Sequence, residues 1–126
     1  MTLPARRQKN SGRQNIGKRF PAHLAYVRGF ECAIAGRGDH VCSDRIEAAH
    51  VDYAGGKGMG MKVPDVYTVP LCSAAHVEQG QGWALFEARY GLDALALAKE
   101  LARQSPSILK AARAAGYDTL TYGEEA

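Results

Sequence analysis

No run of eighteen consecutive apolar residues occurs in the chain, so nothing in it is long enough to cross a bilayer as a helix. Acidic residues are missing from its beginning, the first being Glu31. The start is polar and basic, with no apolar stretch behind it, which argues against a secretory signal and makes the cytoplasm the expected location. Cysteine is scarce: Cys32, Cys42 and Cys72, an odd number at irregular spacing. A disulfide framework cannot use all three, so metal ligation or free thiols is the better reading. Internal repeats are absent as well.

What is present suits one modest domain: 126 residues, 46% of them apolar. The net charge is only +3, but its distribution is uneven. Residues 1–21 lack periodicity and carry Pro, Gly, Asn and Ser, the composition of a flexible arm. Arg6, Arg7, Lys9, Arg13, Lys18 and Arg19 make that arm basic. A solvated tail is the plain reading of such a run. The sharper one is a phosphate-binding arm, which gives affinity without sequence information.

Beyond the arm, 22–36 (AHLAYVRGFECAIAG) alternates weakly, and Tyr26, Val27, Phe30 and Ile34 predict a strand entering a turn at 36–39. A second short strand is expected over 45–51, with Ile46 and Val51 as its apolar positions. A glycine-rich loop over 52–62 is too long for a simple connector. The β-branched and aromatic run 66–72 (VYTVPLC) predicts a third strand. After Cys72 the period changes to that of a helix, with Ser73 expected as its cap. Trp83, Leu85, Phe86 and Tyr90 stand at helical spacing before Gly91, and Asp93 caps a stripe of Leu95, Leu97, Ala98 and Leu101. Pro106 breaks the chain before a last helix ending at Gly116. The expected class is α+β: a small β unit over 22–91, then a C-terminal helical extension over 92–126 packed on the same core.

The chemistry-bearing residues sit around the glycine loop. His50 ends one strand. Gly55, Gly56, Gly58 and Gly60 follow, flanked by Lys57 and Lys62, then Cys72 ends the next strand and His76 enters a helix. Taken singly, His50 on an apolar strand is a packed histidine. In this order the parts are those of a ββα-metal site, where a neutral strand imidazole takes a proton from water. A helix ligand there holds a divalent ion against a phosphate oxygen. Nearby cysteines bind zinc and staple a unit too small to hold its own shape.

The segment 23–93 resembles an HNH nuclease of the phage recombination-enhancement (Ref-like) type. The most specific part of the likeness is EAAHVDYAGGKGMGMKVPDVYTVPLC, with AYVRGFEC before it and GWALFEARYGLD after it. The resemblance implies hydrolysis of a DNA phosphodiester with Mg²⁺ or a similar ion, His50 as general base, and His76 with Asp52 holding the ion. It also implies a structural Zn²⁺ on Cys32, Cys42 and Cys72, with His40 or His76 as fourth ligand. Lys57 and Lys62 would add attraction for phosphate. Asp65 is open between orienting an imidazole, ligating the ion and serving as a turn residue. Some expected ligands are replaced: Ala75 and Gly80 stand where a zinc ligand and a second metal-binding histidine belong, Ala35 breaks a CxxC pair, and Ala49 precedes His50. These departures keep a second reading in view, a zinc-stapled nucleic-acid-binding module that has lost cleavage.

Deleting residues 1–20 should weaken DNA binding and flatten its salt dependence while leaving the melting temperature nearly unchanged. An unaltered slope of affinity against salt would remove the arm from the binding surface.

Overall fold

The computed structural model describes residues 19–55, 63–114 and 116. The expectations for Arg6, Arg7, Lys9, Arg13 and Lys18, and for Lys57 and Lys62 with Gly56, Gly58 and Gly60, lie outside the described residues. The elements are α1 (Pro21–Val27), β1 (Ile46–His50), a 3-10 turn (Asp52–Gly55), β2 (Thr68–Cys72), α2 (Ser73–Gln79), α3 (Trp83–Tyr90), α4 (Ala94–Gln104) and α5 (Pro106–Ala114). The class is mixed α+β, with one two-stranded antiparallel sheet among the described residues. No described helix is long and apolar enough to cross a membrane.

The first expected strand is a helix. Pro21 occupies the first helical turn, where its fixed φ suits the helix and its missing N–H costs nothing. His23 and Val27, one turn apart, are the buried pair, so of the residues that suggested a strand Val27 serves a helical face, while Phe30 and Ile34 lie beyond the helix. Past Val27 the chain runs through turns rather than strand, with Ala35 N–H bonded to the Cys32 carbonyl and Arg37 N–H to that of Ile34.

The hairpin pairs Ile46 with Cys72, Ala48 with Pro70 and His50 with Thr68. A proline inside a strand is tolerated because β2 is an edge on its far side. The carbonyl of Pro70 is free to accept from Ala33 N–H at 2.8 Å, which docks the 28–45 segment along that edge. Val51 N–H to the Tyr67 carbonyl and Ser73 N–H to that of Arg45 extend the ladder at both ends. β1 itself stops at His50, so Asp52 does not continue its face but opens the 3-10 turn.

All five residues of β2 are buried. Ala49, Val69 and Leu71 join Trp83, Phe86 and Tyr90 in the main core. Those three rings meet edge to face, at centroid distances of 5.8 and 5.1 Å. Leu85, expected in the same stripe, faces solvent and is 64% exposed. Gly91 ends α3 with φ 64°, a left-handed position that glycine takes without strain. The Asp93 side chain caps α4 through Ala96 N–H, as its spacing predicts. Cys72, not Ser73, caps α2: its thiol accepts from Ala75 N–H. A second cluster of Val66, Ala102, Ile108 and Ala112 holds Phe20 and Leu109, so the expected arm stops short of Phe20: deleting residues 1–20 removes a packed ring and should lower the melting temperature, contrary to the expectation from sequence.

His23 is fully buried; its Nδ1 bonds the Ser105 hydroxyl at 2.9 Å and its Nε2 has no partner. Burial lowers its pKa from the ordinary 6.5, with the Asp65 carboxylate opposing. The unfolded chain therefore takes up a proton at a pH where the folded chain resists it. His23 contributes stability in full above about pH 6.5, and that part is lost as pH falls toward the depressed value. Urea unfolding followed from about pH 8 to 5 should show this loss, and His23→Gln should flatten it. Identical pH profiles for the two proteins would exclude His23 as its source.

Candidate functional site

The 28–45 segment has no regular secondary structure, yet it is pinned at several points. Arg37 donates to the carbonyls of Tyr90 and Gly91 at the end of α3, at 3.2 and 2.7 Å. Cationic donors suit a helix C-terminus, where the last carbonyls lack partners. His40 meets the Tyr90 ring edge to face at 5.9 Å. The Ser43 hydroxyl bonds that of Ser73 and accepts from Ala74 N–H at the start of α2.

These anchors bring Cys32, His40, Cys42 and Cys72 together. One ligating atom from each lies within 4.8 Å of all the others. Cys32 and Cys72 are buried, His40 is half-buried and Cys42 is exposed. Three thiols and one imidazole form a donor set suited to tetrahedral zinc, and the cluster could hold such an ion. His40 Nε2 lies 3.3 Å from the Cys72 sulfur. Ala75, at the position of an expected ligand, instead gives its N–H to that sulfur. All three cysteines are free thiols.

Without an ion the thiols compete for protons. Burial alone would raise Cys72, but N–H donors at Ala75 and Ser43, the Ser43 hydroxyl and His40 outweigh it and bring the thiol down to about 6. Loss of hydration, followed by contacts with Cys32 and Cys72, pushes Cys42 up to about 12. A divalent ion would hold all three as thiolates and offset two of their three negative charges, so its binding would release protons.

The two remaining site histidines are held apart from the cluster, each by a carboxylate. His50 Nε2 bonds Asp65 Oδ1 at 2.9 Å. An ionised carboxylate only accepts, so Nε2 donates and Nδ1 of a neutral ring keeps its lone pair. The other oxygen of Asp65 accepts from Phe20 N–H at 2.8 Å. His50 is exposed at the strand end, and its carbonyl accepts from Trp83 Nε1. His76 Nδ1 bonds Glu47 Oε1 at 2.7 Å, leaving Nε2 free. The bond to His76, then that to Arg45, holds the Glu47 carboxyl below its usual range. Asp52 is exposed and makes no side-chain hydrogen bond among the described residues. Arg19 is also exposed. Gly80 caps the end of α2 with φ −59°.

Glu47 has no part in the sequence reading. Its signal was present as a carboxylate on the strand before His50, but sequence order alone does not show that α2 lies across that strand. His40 stood as one of two alternatives for the fourth position, and the fold gathers it with the cysteines.

His40→Ala and Cys72→Ser should each strip most of the metal from the purified protein and lower its melting temperature, whereas His76→Ala should keep its full metal content. Elemental mass spectrometry decides between them. Full zinc in His40→Ala, or its loss in His76→Ala, would reverse the assignment of the fourth ligand.

Residues 14–106 match the sequence family described as "Protein of unknown function (DUF968)". No curated protein and no solved structure matches the chain. The family match spans well over half of the sequence, including the whole hairpin, the four-residue cluster and both carboxylate-held histidines, and the chain belongs to the DUF968 family.

Proposed function

We propose that the chain is a metal-dependent DNA endonuclease of the HNH type, in which His50 is the general base. The observation that carries this reading is the His50–Asp65 pair at the open end of the hairpin. A carboxylate on Nε2 fixes the ring and its tautomer and stabilises the imidazolium that forms when Nδ1 takes a proton. Exposure of the ring leaves that nitrogen open to a water and a phosphate. The order β1, β2, α2, with His50 on the strand and His76 on the helix, supports the same reading.

His76 fits the role of an ion ligand. Metal-bound histidines commonly give their second ring nitrogen to a carboxylate, and Glu47 holds Nδ1 in that way, leaving Nε2 to ligate. A bound Mg²⁺ or similar ion would neutralise charge developing on the scissile phosphate and the leaving 3′ oxygen. His50 supplies the proton acceptor, Asp65 its orientation, and Glu47 the orientation of His76. Zinc on the four-residue cluster would serve the fold, fixing the 28–45 segment against the hairpin, and would take no part in cleavage.

One observation favours a second reading. Among the described residues only the cysteine–histidine cluster gathers three or more ligating groups, and Asp52 and His76 are not joined in such a group. A zinc-stapled module that binds nucleic acid without cutting it would have this arrangement.

His50→Ala should lower plasmid nicking by about 10²- to 10⁴-fold, the usual worth of a general base, with fold and DNA affinity kept. His76→Ala should also cut poorly, but raised Mg²⁺ should restore part of its rate and none of that of His50→Ala. Full activity in His50→Ala would mean another base. A wild-type protein that binds DNA and never nicks it with Mg²⁺, Mn²⁺, Ni²⁺ or Co²⁺ would establish the binding-only reading.

A further inference from the structure

Cationic side chains among the described residues fall into two sets. Arg37 caps α3, Arg45 pairs with Glu47, Arg89 with Glu78 and Asp39, and Arg103 with Glu100. Arg19, Arg28, Lys110 and Arg113 are exposed and have neither an ion pair nor a side-chain hydrogen bond with any described residue, and the same holds for the half-buried Lys99. The unpaired set lies on or beside α1, α4 and α5. Of the paired set, Arg37 and Arg89 tie the 28–45 loop to α3, Arg45 lies at the start of the hairpin, and Arg103 pairs within α4.

The two terminal helices belong to one layer. α1 packs against α5. Tyr26 donates to the Gln104 carbonyl, and His23 bonds Ser105, at the junction of α4 and α5. Neither α1 nor α5 carries an acidic residue. Like charges left without counterions on adjoining helices repel one another, so a layer of this kind gains when a polyanion covers it. The layer also reaches the candidate active site. Phe20, next to Arg19, is packed on the cluster containing Ile108 and Ala112 of α5, and its N–H bonds the carboxylate that holds His50.

We propose that the α1–α5 layer is a phosphate-binding surface for double-stranded DNA, which it leads toward His50. The nature of the ligand rests on the endonuclease reading; the surface itself rests on the charges and packing just described. Arg19 and Arg28 flank the two ends of α1, and Lys110 and Arg113 stand on α5, so the charges are spread rather than gathered on one pocket. That spacing suits an extended polymer with a charge on every unit better than a single phosphorylated small molecule. α5 carries no aromatic side chain, and on α1 the Tyr26 ring is already engaged edge to face by Phe30 at 5.2 Å and through its hydroxyl by the Gln104 carbonyl, so the layer offers no row of open rings for unpaired bases, which favours a duplex over a single strand. Contacts of this kind add affinity and orientation without reading sequence.

The test uses the full chain, because Asp118, Glu124 and Glu125 follow α5 in the sequence. The probe is a fluorescently labelled duplex of arbitrary sequence, with anisotropy read over a range of salt concentrations. Losing two phosphate contacts in Lys110→Ala/Arg113→Ala should lower the slope of log affinity against log salt by about 1.8, at roughly 0.9 per contact. Arg28→Ala should lower it by about 0.9. Lys110→Arg/Arg113→Lys should bind as the wild type does, and circular dichroism should show every variant folded. An unchanged slope in both alanine variants would overturn the surface. So would a labelled single strand that binds more tightly than the duplex and loses more affinity in the same variants. The two readings fail separately: a wild type that shows the expected slope but no nicking keeps the surface and drops the nuclease. Nicking that persists with unaltered slopes in the variants drops the surface alone.

Discussion

Three thiols and an imidazole converging within 4.8 Å are the constraint on which the rest of this small fold depends. The sheet has only two strands of five residues, too little to hold a long irregular segment by ladder bonds. Between α1 and β1 the chain has no helix or strand, and two backbone bonds, Ala33 to Pro70 and Ser73 to Arg45, join it to β2 and the start of α2. The cluster ties the two ends of this segment to each other and to the point where β2 becomes α2. Tyr90 and Arg37 explain how His40 reaches it: one ring and one guanidinium attach the loop to the end of α3. The cluster thus gathers the loop at the start of α2, whose His76 faces Glu47 of β1.

The two carboxylate-held histidines follow a common logic. Each gives one ring nitrogen to an acid from a different part of the chain, Asp65 for His50 and Glu47 for His76. The pairing removes the choice of tautomer and leaves the other nitrogen with a defined role. Glu47 and His50 stand three residues apart on one strand, so the pleat sends them to opposite faces of the hairpin. An ion held by His76 would thus lie across the hairpin from His50, which favours the module that binds nucleic acid without cutting it.

Much of this was legible in the sequence where the signals were local. Gly91 and Asp93 punctuate α3 and α4 because a left-handed cap and an aspartate cap are short-range chemistry. The order His50, Cys72, His76 was readable for the same reason, and so was the shared use of three cysteines. The misreading of α1 came from weak alternation: Tyr26, Val27, Phe30 and Ile34 look like a strand, and Pro21 looked like the end of the arm rather than the first turn of a helix. Leu85 fits the helical spacing of Trp83 and Phe86, but it is exposed and lines an open groove with Glu78 and Arg89. Non-local relations were the hardest. Neither the choice of His40 over His76 nor the reach of Glu47 can be read from spacing, since each depends on how a loop or helix folds back over the strand.

Asp65 joins the entry of α1 to the ring of His50 through the two oxygens of one side chain. Exchanging that carboxylate for a carboxamide would preserve volume, shape and both hydrogen bonds. With its oxygen facing Phe20, the amide nitrogen would have to donate to His50 Nε2, and the neutral ring would then carry its proton on Nδ1. The nitrogen left open to solvent would change from a lone pair to an N–H. An isosteric change invisible in the backbone would invert the polarity of the exposed ring edge, so at this position similarity of shape is no guide to which substitutions a lineage can accept.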